Sequence, residues 1–285
     1  MKRAAALMGL AAAALVSGCS AVRLAYDNAD TYLRWRAGAY LDVHGPAADE
    51  LDERIDAFFD WHRAKALPHY ARLSDEAAKR LGNGLSPEDV VWGYDSLQMQ
   101  ARESLREAAK QIAPMLDRLD AKQVGYLERR LADDNRRFAR DNLSGSESQR
   151  RAKRAKRMQE RLEEWVGRLT REQAERVKLY AERAPLTDEF RDRDRKRLQA
   201  EVVSMVRKRE AAKRLPERAA NWQAGRDPAF VAANEIWRRE FNALLLDIDR
   251  TLTPAQRTRA VANFRRYAED FSALAGQAGA EPRVQ

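Results

Sequence analysis

Apolar side chains recur along this chain at intervals of three and four residues and almost nowhere in strict alternation, which is the period of helices with one buried face. Val90, Tyr94, Leu97, Ala101, Leu105, Ala108, Ile112 and Leu116 trace one such face on a helix from Ser86 to about Met115, roughly 45 Å long at 1.5 Å per residue. Leu51, Ile55, Phe58, His62, Ala66 and Leu73 trace another, which Pro68 is expected to kink or end near Leu67. Further stripes are Val124, Leu127, Leu131 and Phe138; Met158, Leu162, Trp165 and Leu169; and Leu198, Val202, Met205 and Val206. Two more follow, Phe230, Trp237, Phe241, Leu244 and Ile248, then Val261, Phe264, Phe271 and Leu274. Glycine and proline punctuate between them at His44-Gly45-Pro46, Gly82-Asn83-Gly84, Asn142-Leu143-Ser144-Gly145 and Pro185. Pro216 and Gly225 are expected to flank a short connecting piece. The prediction is an all-α multi-helix bundle of eight to ten helices occupying residues 19–275, with halves at 24–142 and 146–275 and a disordered tail over 276–285.

Helix starts repeat one device. Leu85-Ser86-Pro87-Glu88-Asp89, Leu119-Asp120-Ala121-Lys122-Gln123, Leu169-Thr170-Arg171-Glu172-Gln173 and Leu252-Thr253-Pro254-Ala255-Gln256 each place a capping side chain three residues before a polar one that reaches back. Ser146 with Gln149, or Ser144 with Glu147, offers the same at another start. Leu169 and Leu252 stand where a staple to the first turn forms.

The N-terminus has different chemistry. Met1-Lys2-Arg3 precedes an apolar run from Ala4 to Val16 and then Ser17-Gly18-Cys19-Ser20, the charged, apolar and small-residue regions of a secretory signal. The run is shorter than the roughly 20 residues a spanning helix needs. Val16-Ser17-Gly18-Cys19 resembles the lipobox of bacterial lipoproteins. That resemblance implies cleavage after residue 18, lipid on Cys19 as the mature N-terminus and a membrane anchor; Ser20 after the cysteine implies sorting to the outer membrane, facing the periplasm. Cys19 is the sole cysteine, so packing alone must hold the fold. Just beyond it, Tyr26, Tyr32, Trp35 and Tyr40 mingle with Arg34 and Arg36, either as aromatics selected by a membrane interface or as anchors of a bundle core.

Without residues 1–18 the balance is 51 basic against 44 acidic side chains, a formal +7. In a cytosolic protein a pI near 9.8 would suggest nucleic acid; an exported chain more readily meets lipid head groups, lipopolysaccharide or acidic unfolded chains. The densest basic run is Arg150, Arg151, Lys153, Arg154, Lys156 and Arg157, with Arg136, Arg137 and Arg140 upstream. It reads as a surface for an anionic partner, or as a solvated face balanced by Glu160, Glu163 and Glu164. His62 and His69, seven residues apart on one predicted face, lack the further ligands of a metal site, so His62 reads as a hydrogen-bonded core histidine. No cofactor or metal site is expected. Gly-x-Ser-x-Gly, phosphate-binding glycine loops and His-Glu-x-x-His are missing, so no catalytic residues are assigned.

Leu169–Gln173 and Leu252–Gln256 resemble the LTxxQ motif of the Spy/CpxP-type periplasmic stress chaperones, with weaker versions at 85 and 119. Those are all-helical, ATP-independent proteins that cradle unfolded clients. As a whole the chain resembles an uncharacterised family of helical proteobacterial lipoproteins, through Tyr26-Asp27-Asn28, Phe58-Phe59-Asp60-Trp61-His62 with Leu67-Pro68, and Trp165-Val166-Gly167-Arg168 before Leu169. Together these imply a non-catalytic binding role, chaperone-like or adaptor, with a structural element at the membrane surface as the alternative and an enzyme third. The partners expected are the membrane through Cys19 and envelope proteins or unfolded clients, not nucleic acid.

Overall fold

A computed structural model describes residues 21–277; Cys19, the signal segment and most of the expected tail lie outside the described residues. Every regular element among the described residues is helical. In chain order they are α1 (Ala21–Asp27), α2 (Ala29–Leu41), α3 (Pro46–Trp61), a π turn (His62–Ala66), α4 (Leu67–Asn83), α5 (Pro87–Leu116), α6 (Ala121–Asn142), α7 (Glu147–Val166), α8 (Arg171–Arg183), α9 (Asp188–Arg207), α10 (Ala211–Ala220), α11 (Pro228–Arg250) and α12 (Pro254–Ala275). The all-α bundle is as the pattern predicts, with more segments than eight to ten.

Two of the extra segments have clear physical causes. Pro68 lacks an N–H and its ring crowds the carbonyl four residues back, yet the helix does not end there. The π turn at 62–66 widens the ladder, so Leu67 N–H bonds back to the His62 carbonyl and α4 continues through the proline. The same turn removes rotation between His62 and His69, so they do not share a face: His69 is exposed beside Arg72. The connecting piece expected between Pro216 and Gly225 instead begins inside a helix, α10 over 211–220, which forms because a carboxylate from elsewhere caps its start. Asp117, at the end of α5, accepts from Ala211 N at 2.7 Å and Ala212 N at 2.9 Å. Pro216 sits inside this helix.

Five of the anticipated capping boxes form, Ser86 with Asp89, Asp120 with Gln123, Ser146 with Gln149, Thr170 with Gln173 and Thr253 with Gln256, while Ser144 with Glu147 does not. Ser144 instead donates its hydroxyl to the Arg140 carbonyl. Gly167 ends α7 at φ +82°, a conformation that favours glycine, and so turns the chain into Leu169-Thr170.

Two apolar cores result. One gathers Leu41, Leu51, Ile55 and Phe59 with Ala113, Leu116, Val124, Met205 and Leu215. The other gathers Leu81, Val166, Leu169, Val177 and Tyr180 with Leu244, Ile248 and Ala260. They do not divide at Asn142–Gly145: Met205 and Leu215 return to the first core, and Leu81 belongs to the second. Helix α5 is the strut between them. Leu85, just before it, packs on the second core, and Ala109–Leu116 enter the first. The stripe predicted for its middle is not buried, since Leu97 is 56% and Leu105 44% exposed. Periodicity identifies a face; only a packed neighbour buries it.

Candidate functional site

The two LTxxQ copies meet head to head in the second core. Gln173 accepts from Thr170 N, its own cap, while its amide nitrogen donates across to the Thr251 carbonyl and to Gln256 Oε1, both at 2.9 Å. Gln256 mirrors it: Oε1 accepts from Thr253 N, and Nε2 donates to the Arg168 carbonyl and to Gln173 Oε1, both at 3.0 Å. Each glutamine reaches the carbonyl five residues before the other, so the arrangement is a local two-fold built from one repeated motif. Gln173 is fully buried, and burial of an amide is tolerable only because every polar atom is bonded. Gln123 does a related task in the first core, reaching the Leu41 and Asp42 carbonyls at the end of α2. In this chain LTxxQ is a docking joint between α8 and α12; the joint is structural and offers no open site.

The basic run on α7 behaves differently from a uniform cationic surface. Arg151 donates to the Ala181 carbonyl at 2.9 Å and the Ala184 carbonyl at 3.1 Å, and Arg154 to those of Ala184 and Pro185 at 2.7 and 2.9 Å. These carbonyls end α8, where a helix presents its negative pole, so the two arginines act as its C-terminal cap. Burial pushes the Arg154 guanidinium below its ordinary value. Arg150 pairs with Glu189 and has a buried, unbonded Nε. Burial pushes the Glu189 carboxyl up, but the Arg150 hydrogen bond, a backbone hydrogen bond and the Arg150 and Arg193 charges together hold the group below the usual range. Lys153 donates to the Asp141 carbonyl at 2.6 Å. Lys156 is exposed, 3.9 Å from Glu160. Arg157 is the member of the run that keeps no hydrogen-bond or ion-pair partner among the described residues. Thus the expectation of a single cationic surface over 150–157 is corrected for Arg151 and Arg154, and the charges at its other positions differ in freedom.

Between α7, the ends of α6 and α8, the start of α9 and the face of α11 lies a groove of about 620 Å³. Arg150, Lys153, Arg154, Arg157, Arg161 and Arg191 line it against two carboxylates, Asp141 and Asp188; Met158, Tyr180 and Trp237 supply apolar surface. Trp237 stacks on Phe241 with centroids 5.3 Å apart. Burial pushes the Tyr180 phenol up, and the Arg154 charge and the Trp237 indole pull it the other way. Arg161, outside the basic run, also has no hydrogen-bond or ion-pair partner among the described residues. The groove can therefore hold an extended ligand with both apolar and anionic groups. Sequence reasoning misses Arg161, Arg191, Tyr180 and Trp237 as neighbours of the run because they come from four separate helices or helix positions. Arg136, Arg137 and Arg140 line a different, smaller cavity with α2.

His62 is half-buried among Tyr26, Phe58, Trp61 and Tyr70, and its Nδ1 lies 2.9 Å from the Tyr26 hydroxyl. Burial, with some help from the Arg63 charge, lowers it to about 4; burial raises Tyr26 to about 12. The pair is neutral across the physiological range, in keeping with a core histidine. Among the described residues no three of His, Cys, Asp and Glu gather so as to hold a metal ion, and no helix is long and apolar enough to cross a membrane.

The family model described as Family of unknown function (DUF6279) matches residues 39–224, which include the first LTxxQ copy and most of the groove. No curated protein and no solved structure matches the chain.

Proposed function

The chain belongs to this Family of unknown function (DUF6279), a membership that brings no activity with it, and we propose that it is a lipid-anchored protein of the outer membrane, facing the periplasm, whose role is non-catalytic binding of envelope polypeptides, chaperone-like or as an adaptor. Lipid on Cys19 supplies the anchor. The groove beside α7 carries the reading. Its free guanidiniums, Arg157 and Arg161, sit over an apolar wall of Met158, Tyr180 and Trp237, which suits an unfolded segment with interspersed acidic and apolar residues. The LTxxQ likeness to the Spy/CpxP type lends support of a weaker kind, since here the motif joins two helices.

The test is suppression of aggregation of an acidic, chemically unfolded client by the full chain without ATP. Wild type should suppress, less so as salt rises past roughly 0.15 M, where charges are screened beyond about 8 Å. Arg157→Glu with Arg161→Glu should suppress several-fold less at unchanged thermal stability. Equal suppression by that variant would remove the groove from the function.

A further inference from the structure

The first two helices leave an unusual face in water. On α1 and α2, Leu24 is 62%, Tyr32 55% and Trp35 64% exposed, and the Tyr32 and Trp35 rings lean together at 5.9 Å. Burying one such side chain is worth about 1.5–3 kcal/mol, so two adjacent aromatics left out imply a medium other than water. The remaining aromatics of this stretch, Tyr26 and Tyr40, turn inward.

Arg36, next to Trp35, faces α6. There a cavity of about 240 Å³ holds five guanidiniums, Arg36, Arg130, Arg136, Arg137 and Arg140, against Asp133 and Asp134. Both carboxylates are engaged, Asp133 by Arg136 and Asp134 by Arg36 and the Tyr40 hydroxyl. Arg130 lies over the Tyr40 ring at 5.9 Å. Arg130, Arg137 and Arg140 have no carboxylate partner among the described residues. Three guanidiniums on one face of α6 repel one another unless an anion joins them, and a phosphate accepts from two or three at once. On the other side of Arg36 and Tyr40 lies an almost wholly apolar groove of about 410 Å³, walled by Ala37, Ile55, Phe58 and Ile112 from α2, α3 and α5. The two cavities share Arg36 and so form a head-and-tail pair.

We infer that α2, with α6 on one side and α3 and α5 on the other, binds one anionic lipid of the bilayer surface, its phosphate among Arg130, Arg137 and Arg140 and an acyl chain in the apolar groove. The exposed Tyr32 and Trp35 then sit at the head-group level, where aromatics of this type concentrate, in the same N-terminal stretch of the sequence as Cys19. A free phosphate would use the arginines and leave the groove and the aromatic pair without a part. The inference relies on the membrane location proposed above.

Native mass spectrometry of the full chain, released from micelles doped with phosphatidylglycerol or phosphatidylcholine, tests it. Covalent lipid on Cys19 and non-covalent lipid in the site register as separate mass shifts, so failure of the anchor and failure of the site are distinguishable. One phosphatidylglycerol per chain should be retained, about tenfold in preference to phosphatidylcholine. Arg137→Gln with Arg140→Gln should abolish the preference at unchanged melting temperature, and Ala37→Trp, which fills the groove, should lower retention of both lipids. Inorganic phosphate at equal concentration should not displace the lipid. Retained preference in the double glutamine variant, or displacement by inorganic phosphate, would overturn the inference. If Ala37→Trp melts early, Ile112→Gln provides the same test of the groove.

Discussion

Helices α6 and α7 each carry a cluster of cations, and the denser cluster is the less available one. On α7, Arg151 and Arg154 are drawn in by the carbonyls that end α8, and Arg150 is tied to Glu189. On α6, Arg130, Arg137 and Arg140 are spaced more widely and meet no carboxylate of their own. A long cationic side chain beside a helix C-terminus finds four orphan acceptors and the negative end of a dipole. It becomes a cap, whatever its neighbours in sequence. Charge density along a chain therefore measures supply, and the backbone geometry nearby decides how much of it is left for a ligand.

The largest effect that follows is on stability. Arg151→Gln with Arg154→Gln should destabilise the fold by about 2–4 kcal/mol, because charged hydrogen bonds are each worth about 1.5–3 kcal/mol and the α8 carbonyls lose theirs. Denaturant unfolding reads this; a change below about 0.5 kcal/mol, the surface norm, would erase the distinction between the two helices. A neutral joint supplies a yardstick. Gln173→Ala should cost about 2–3 kcal/mol, leaving the Thr170 amide and Thr251 carbonyl unpaired. A double-mutant cycle with Gln256→Ala should show strong coupling, since either change removes the shared amide pair.

Acidification acts on the first core through His62. Its folded value of about 4 lies below the ordinary 6.5, so the unfolded chain binds the extra proton first. Its contribution is complete above pH 6.5 and is lost as pH falls toward 4. His62→Phe should flatten that part of the stability–pH curve. An unchanged slope would show that His62 is not held neutral by the fold. The smallest effect belongs to α6: Arg137→Gln with Arg140→Gln should shift stability by less than about 0.5 kcal/mol, in contrast to the pair on α7.

Local rules written in the sequence account for much of this molecule. The apolar period made it helical, and a hydroxyl or carboxylate three residues before an amide or carboxylate marked the starts of α5, α6, α7, α8 and α12, because capping involves only neighbours along the chain. The half-buried, hydrogen-bonded His62 was legible too. What depended on distant partners was not. Helix α10 exists because Asp117 caps it across more than ninety residues, Leu97 and Leu105 stay in water because the helices packed on α5 lie against its other face, and the cores interleave the two halves of the chain. Two copies of LTxxQ could be read as two good helix starts, but their union into one buried amide pair is a tertiary fact. The freedom of each arginine is likewise tertiary, since a guanidinium reaches several ångströms from its own helix and bonds whichever acceptors the fold brings there.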